Sequence, residues 1–78
     1  MFPERLRLRR KSMGYTQQRM ADLLSLSLNA YQKYEQSERF PAADTLVKIA
    51  DILKCPIDYL LGRDEFLKSL GVSVDVFR

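Results

Sequence analysis

The chain has 78 residues, with no histidine, no tryptophan, one cysteine and three glycines. Without histidine, the Ser–His and Cys–His pairs of nucleophilic enzymes are unavailable, and one thiol is too few for a zinc site built from the usual ligands. The lone Cys55 also excludes an internal disulfide, and since small secreted domains usually depend on several, we expect a cytoplasmic protein. We therefore expect no catalysis, no metal, no cofactor and no small-molecule ligand.

Long apolar runs are missing as well. No segment approaches the roughly 20 apolar residues needed to span a bilayer, so no membrane association is expected. Apolar residues make up 46% of the chain and charged residues 29%, which is typical of a folded domain. The net charge is +3, and the first segment concentrates five cations: Arg5, Arg7, Arg9, Arg10 and Lys11. Two interpretations of this cluster stay open, contact with nucleic-acid phosphates or a solvated helix face.

Apolar residues recur at helical spacing in five segments that are separated by short polar stretches. The predicted helices cover residues 3–13, 17–24, 28–36, 43–53 and 57–61. Thr16 and Ser27 are the predicted N-caps of the second and third helices, and Gly14 and Gly62 lie where helices are predicted to end. The predicted inward residues are Met20, Leu23 and Leu24 in the second helix and Leu46, Val47, Ile49, Ala50 and Leu53 in the fourth. The fold class predicted is all-α, a compact five-helix domain.

Residues 63–78 form a predicted C-terminal extension to the domain of residues 1–62. Asp64 is a candidate N-cap for a further helix that would end at Gly71. Three valines then alternate with polar residues between positions 72 and 76, which favours a strand or an extended tail, while a helical turn stays open. The extension is more apolar than a five-helix core requires. It is expected either to form a homodimer interface or to fold back over the core.

Two consecutive predicted helices have the pattern of a helix-turn-helix. Ala21 is small enough for the point where the second and third helices cross, and the turn is predicted at Ser25 and Leu26. Apolar anchors flank this turn on both sides: Met20, Leu24, Leu26, Tyr31 and Tyr34. On the third helix, Tyr31 and Tyr34 are predicted to lie in the core or at its edge, while polar residues occupy a different face.

The chain resembles the Xre/lambda-repressor-like (Cro/C1-type) helix-turn-helix DNA-binding family. The matching stretches are Gly14-Tyr-Thr-Gln-Gln18, Met20-Ala-Asp-Leu-Leu24, residues 27–35, Arg39-Phe-Pro41, residues 45–53 and Ile57-Asp-Tyr-Leu-Leu-Gly62. Together they extend over most of the chain, from about residue 5 to residue 62. The chain departs from the family pattern at Ser25 and Ser37, where relatives commonly have glycine. A left-handed backbone at such a serine costs roughly 1 kcal/mol.

The resemblance implies a small transcriptional regulator that binds double-stranded DNA, most simply a repressor whose third helix enters the major groove of an operator, usually as a homodimer. It implies base contacts for Leu28, Asn29, Gln32 and Lys33, and backbone contacts for Gln17, Ser27, Ser37 and Arg39. It also implies that Gln17 braces the third helix. Arg10 and Glu35 match an internal salt bridge of some relatives. The chemistry agrees, because amide side chains suit adenine, lysine suits guanine, and leucine packs on a thymine methyl.

Other interpretations of these residues stay open. Asn29 and Gln32 are also compatible with ordinary exposed polar positions, Leu28 with packing against the domain, and Lys33 with a phosphate contact. At the level of the whole protein, the alternative is a protein-interaction module or an antitoxin-type component whose main role is to bind a partner protein.

Overall fold

The computed structural model describes residues 1–63 and 69–71. Within these residues, five helices follow one another: α1 (Phe2–Ser12), α2 (Gln17–Leu23), α3 (Leu28–Glu35), α4 (Ala43–Leu53) and α5 (Ile57–Leu60). Each lies within one or two residues of its predicted position, and the described residues contain no strand, so the all-α prediction is confirmed. The helix predicted to begin at Asp64 and the strand or turn predicted near residues 72–77 lie outside the described residues.

The ends of the helices follow from short-range chemistry. The Thr16 hydroxyl accepts a hydrogen bond from the Arg19 amide at 3.0 Å, and the Ser27 hydroxyl accepts one from the Ala30 amide at 3.1 Å. Each bond supplies a partner to a backbone N–H that the first turn of a helix leaves unpaired. Gly14 follows α1 with a φ of +77°, a left-handed conformation that glycine adopts without steric cost.

The core lies where all five helices meet. Its fully buried side chains are Leu6, Met20, Tyr31, Ile49, Leu53 and Leu60. Ala21 is also completely buried, and its helix α2 packs against α3. The anchors predicted around the turn are confirmed, because Leu24 and Tyr34 are buried as well and Leu26 packs against the core. This packing holds α3 rigidly against α2.

Two of the predicted core positions are wrong. Leu23 is 38% exposed and Val47 is 47% exposed. At 3.6 residues per turn, each lies roughly 110° around its helix from the centre of the buried stripe. In α4 that stripe is formed by Leu46, Ile49, Ala50 and Leu53, and Val47 lies beside it. Apolar residues at the edge of a helical stripe are therefore not part of the core here.

Candidate nucleic-acid interface

The turn between α2 and α3 sets the position of the candidate DNA-reading helix. The Leu26 amide donates to the Ala21 carbonyl at 2.8 Å, and the Ser25 amide donates to the Asp22 carbonyl at 3.1 Å. Ser25 has a φ of +57°, and Ser37, which follows α3, has a φ of +61°. Both serines thus adopt the left-handed backbone that the resemblance indicated at these two positions. The chain carries this strain at both ends of the segment that contains α3.

The outer face of α3 carries the four residues predicted to contact bases. Asn29 and Lys33 are exposed, while Leu28 and Gln32 are half-buried. Tyr31 and Tyr34 occupy the inner face, as predicted, and their rings meet edge to face with centroids 6.3 Å apart. The helix therefore presents amide, ammonium and short apolar groups on one side and is anchored by aromatic rings on the other.

The residues predicted to contact the DNA backbone lie around the same helix. Ser27 begins α3 as its N-cap, and Ser37 and Arg39 follow its end, where both are exposed. The Arg39 amide donates to the Lys33 carbonyl at 3.3 Å, which folds this loop against the end of α3. Gln17 is half-buried beside Gln32, whose amide nitrogen lies 3.1 Å from the Gln17 Oε1 atom.

A buried ion pair supports α3 from behind. Arg10 Nε lies 2.7 Å from Glu35 Oε2, and the two side chains are only 9% and 2% exposed. Arg10 Nη2 also donates to Glu35 Oε1 at 3.3 Å, and Arg10 Nη1 donates to the Tyr15 carbonyl at 2.8 Å. The Tyr31 hydroxyl and the Gln17 amide donate to the same carboxylate. Among the described residues, no buried side-chain nitrogen or oxygen lacks a hydrogen-bond partner.

These contacts shift the protonation equilibria of the cluster. Burial raises the pKa of Glu35, but hydrogen bonds from Arg10, Tyr31 and Gln17 outweigh it, so the pKa lies below its ordinary value. Burial lowers the pKa of Arg10, and the hydrogen bond and charge of Glu35 more than compensate. Burial, together with the bond to Glu35, raises the pKa of Tyr31. The ion pair and the neutral phenol therefore stay in these protonation states at neutral pH.

The arginines of α1 do not form a solvated helix face, because each of them is bonded to another part of the domain. The Arg5 guanidinium donates to the Tyr59 carbonyl at 2.9 Å and stacks on the Tyr59 ring, with 4.8 Å between its carbon and the centroid. Arg7 donates to the Glu35 carbonyl at 2.7 Å, and Arg9 donates to the Leu53 carbonyl at 2.8 Å.

The acceptors of these arginines lie at the carboxyl-terminal ends of three helices. Carbonyls there have no partner within their own helix and carry the negative end of the helix dipole. Arg10 is occupied by Glu35, and of the five cations only Lys11 is exposed. The four arginines thus hold the domain together, so the solvated-face interpretation is wrong for them, while contact of the cluster with phosphates stays a prediction.

Part of the cluster behind α3 was not predicted from the sequence. The bond between Tyr31 and Glu35 had a signal, because residues four apart lie next to each other on a helix. The resemblance implied that Gln17 braces α3 but did not identify its partners Glu35 and Gln32, which lie 18 and 15 positions away in the chain. Only the packing of α2 against α3 brings them together.

Residues 1–63 and 69–71 contain no group of three or more side chains that could together hold a metal ion. None of the helices in this part of the chain combines the length and the apolar character of a membrane-spanning segment.

Comparisons with known proteins agree with this geometry. Residues 6–60 match a family model described as helix-turn-helix. Over 60 residues the chain is 50% identical to the cryptic phage CTXphi transcriptional repressor RstR of Vibrio cholerae, covering 77% of this chain and 54% of the relative. Over 61 residues it is 48% identical to the SPbeta prophage-derived uncharacterized HTH-type transcriptional regulator YonR of Bacillus subtilis, covering 78% and 56%. The chain thus spans about half the length of these curated relatives.

A solved structure shares the arrangement of the helices. The crystal structure of the P22 c2 repressor in complex with a synthetic operator matches with a TM-score of 0.75 and 33% identity, covering 82% of this chain and 97% of that one. The match of the family model over most of the chain and the identity to phage repressors lead to the same conclusion. This chain belongs to the Xre/lambda-repressor-like helix-turn-helix family.

Proposed function

We propose that this chain is a transcriptional regulator that binds an operator in double-stranded DNA sequence-specifically and acts as a repressor. The observation that carries the proposal is the outer face of α3, where exposed Asn29 and Lys33 project from a helix that is rigidly anchored through Tyr31. The relatives support it, since RstR is a transcriptional repressor and the P22 c2 repressor was solved with operator DNA. Family membership also favours transcriptional regulation over catalysis. We infer that the protein acts in the cytoplasm.

Direct contacts with bases are assigned to the four outer residues of α3. The Asn29 and Gln32 amides suit adenine, which presents one donor and one acceptor in the major groove. Lys33 suits guanine, which presents two acceptors, and Leu28 suits a thymine methyl group. Each well-formed base contact contributes about 1–3 kcal/mol of discrimination against the wrong base.

Contacts with the DNA backbone are assigned to Gln17, Ser27, Ser37 and Arg39. Arg39 is charged and exposed next to the end of α3, where a phosphate would approach it. Gln17 Nε2 uses one of its two N–H groups on Glu35, so one remains for a phosphate oxygen. These contacts would position α3 in the groove without reading sequence.

Selection of bound duplexes from a random DNA pool tests the proposal. We expect a two-fold symmetric consensus whose base preference changes at one position per half-site in Asn29→Ala and at another in Lys33→Ala. Lys48→Ala removes one exposed charge from α4 and is the matched control, for which the consensus should not change. Binding that is indifferent to sequence and only salt-dependent, or equal effects of all three variants, would refute the proposal.

We further propose that the protein acts as a homodimer, with residues 1–62 as the DNA-binding domain and residues 63–78 as the segment that joins two copies. The apolar residues of that segment support this division: Phe66, Leu67, Leu70, Val72, Val74, Val76 and Phe77. Two half-sites about one helical turn apart would match such a dimer. Deleting residues 64–78 and measuring mass in solution tests it, because an unchanged oligomeric state contradicts the assignment.

A further inference from the structure

A cleft of about 220 Å³ opens between the start of α1 and the loop that follows α3. Its aromatic and apolar lining consists of Phe2, Pro3, Tyr34 and Phe40, and residues 37–39 supply its polar lining. The Phe2 and Phe40 rings meet with centroids 5.0 Å apart, but Phe2 is buried whereas Phe40 is 57% exposed. A concave aromatic surface that stays partly open to solvent is typical of a docking site for an apolar group.

The size of the cleft limits what it can hold. An apolar cavity of about 150 Å³ accommodates a benzene molecule, so a cleft of 220 Å³ accommodates one phenyl ring and is too small for a helix. The Phe2, Tyr34 and Phe40 rings offer faces and edges against which a further ring can pack. The occupant that fits is therefore a single aromatic side chain.

The charge of the lining sets a second requirement. Glu38 is exposed at the cleft, next to Arg39, which is assigned to a phosphate contact. DNA phosphates repel the Glu38 carboxylate, whereas a cation in a docked segment is attracted to it. A segment that suits the cleft thus carries a positive charge directly beside its aromatic ring.

The C-terminal extension contains one such pair. Phe77 is followed directly by Arg78, whereas Phe66 directly follows two acidic residues, which Glu38 would repel. Phe77 is also 14 residues beyond residue 63, which gives it a reach of up to about 46 Å, while Phe66 is 3 residues beyond and reaches about 10 Å. Of the two rings, Phe77 is therefore the one that can reach a second copy.

The extension leaves the domain at the end where the cleft lies. The Met1 side chain lies against Gly62 and leaves no room for a Cβ atom there. Since Phe2 lines the cleft, the extension begins close to it. Two copies that meet at this end around a two-fold axis would each place their extension beside the cleft of the other.

We propose that Phe77 of one copy occupies this cleft in a second copy, with Arg78 beside Glu38. The inference rests on the proposal that residues 63–78 join two copies, and it names the surface that receives them. Because residues 37–39 also line the cleft, the docked ring holds the loop that carries two of the proposed contacts with the DNA backbone.

The size of one ring determines how much this contact contributes. Burial of a single phenyl ring gives a dissociation constant no better than about 1 mM, so one docked ring does not hold two copies together. A symmetric dimer makes the contact twice, and the second ring docks at the high effective concentration that the first contact creates.

Sedimentation equilibrium of the full chain without DNA measures the dimer dissociation constant in matched variants. Phe77→Ala and Phe40→Ala should each raise this constant at least about tenfold, because each removes one side of both contacts. Leu8→Ala removes another exposed apolar side chain, from α1, and is the control that should leave the constant unchanged. In the double variant, Phe77→Ala should add little to Phe40→Ala, since the surface it docks on is already lost.

The same measurement separates failure of the cleft from failure of the dimer. If the unaltered chain is monomeric, the proposed dimer falls and the docked ring falls with it. If the dimer dissociation constant is the same in both phenylalanine variants as in the unaltered chain, the dimer stands and only the cleft assignment is overturned. Glu38→Arg should weaken the dimer and Arg78→Glu should restore it in the double variant; further weakening would contradict the pairing.

Nuclear magnetic resonance of a mixed dimer shows which copy supplies the ring. With one copy isotope-labelled and the other unlabelled, nuclear Overhauser effects between copies should connect the Phe77 ring to the Phe40 ring. Contacts that occur only within one copy would mean that the extension folds back on its own domain and would overturn the proposal. A Phe77 ring that contacts Phe40 in neither way would overturn it as well.

Discussion

Replacing Arg10 by methionine should destabilise the domain severely. The substitution keeps an apolar chain of similar length but removes both bonds to Glu35, at 2.7 and 3.3 Å, and the bond to the Tyr15 carbonyl at 2.8 Å. Glu35, 2% exposed, is then a buried carboxylate without a countercharge. Loss of one member of such a pair costs about 3–5 kcal/mol. The whole domain is expected to have about 4–12 kcal/mol of stability, from the usual value per residue.

Urea denaturation followed by circular dichroism measures this loss, with the slope of the transition as a check on two-state behaviour. Adding Glu35→Gln to Arg10→Met should restore about 1–2 kcal/mol, because the uncompensated charge is removed while a hydrogen-bond acceptor remains for Tyr31 and Gln17. A loss below about 1 kcal/mol in Arg10→Met, or a double variant less stable than the single one, would refute the reasoning.

The pH dependence of the free energy of unfolding tests the same ion pair. In the unaltered protein the folded-state pKa of Glu35 lies below the unfolded value of about 4.3, so its contribution is complete above that value and is lost as the pH falls through the folded-state pKa. In Arg10→Met, burial without Arg10 should raise the folded-state pKa above the unfolded value. The variant then gains stability as the pH falls from neutral to about 4. The difference between the two proteins should therefore shrink over this range, and a difference that grows would contradict the assignment.

Three further predictions follow from single features. Ser25→Gly should raise the free energy of unfolding by up to about 1 kcal/mol, because glycine adopts the left-handed backbone of this position without steric strain. Ser25→Ala should give no such gain, and equal effects of the two substitutions would argue against strain. Arg9→Met should cost about 1–2 kcal/mol of stability in urea denaturation, since it frees the Leu53 and Lys54 carbonyls at the end of α4, and Lys11→Met should cost almost none; equal losses would contradict the role of Arg9. Burial raises the pKa of the Cys55 thiol, so alkylation of the native protein at pH 8 should be much slower than that of the unfolded chain, and equal rates would contradict its burial.

Local signals were sufficient to place the helices. The caps at Thr16 and Ser27 are hydrogen bonds between residues three apart, and the glycine after α1 needs only its own backbone conformation. Both kinds of helix end can therefore be predicted from residues that are neighbours in the sequence. The tyrosines of α3 were predicted as core because they share one helix face. Leu23 and Val47 were predicted wrongly because the width of a buried stripe depends on which helix packs against it.

The roles of the α1 arginines could not be predicted for a related reason. The sequence around an arginine in a helix is the same whether its guanidinium faces water, a phosphate or the end of another helix. What decides between them is the position of residues far along the chain: Arg5 reaches Tyr59, 54 positions away, and Arg9 reaches Leu53, 44 positions away. The partners of Gln17 on α3 could not be identified for the same reason, although the resemblance implied that Gln17 braces this helix.

The arginines that bind the ends of three helices also bear on how the domain unfolds. Arg5, Arg7 and Arg9 lie on one helix, so detachment of α1 would release the terminal carbonyls of α5, α3 and α4 in a single event. Local opening of α1 is therefore coupled to loss of the whole bundle, and hydrogen exchange should report nearly uniform protection across α1, α3 and α4. A partly folded protein that still presents α3 would be essentially unpopulated, so the protein would bind DNA as an intact domain or not at all.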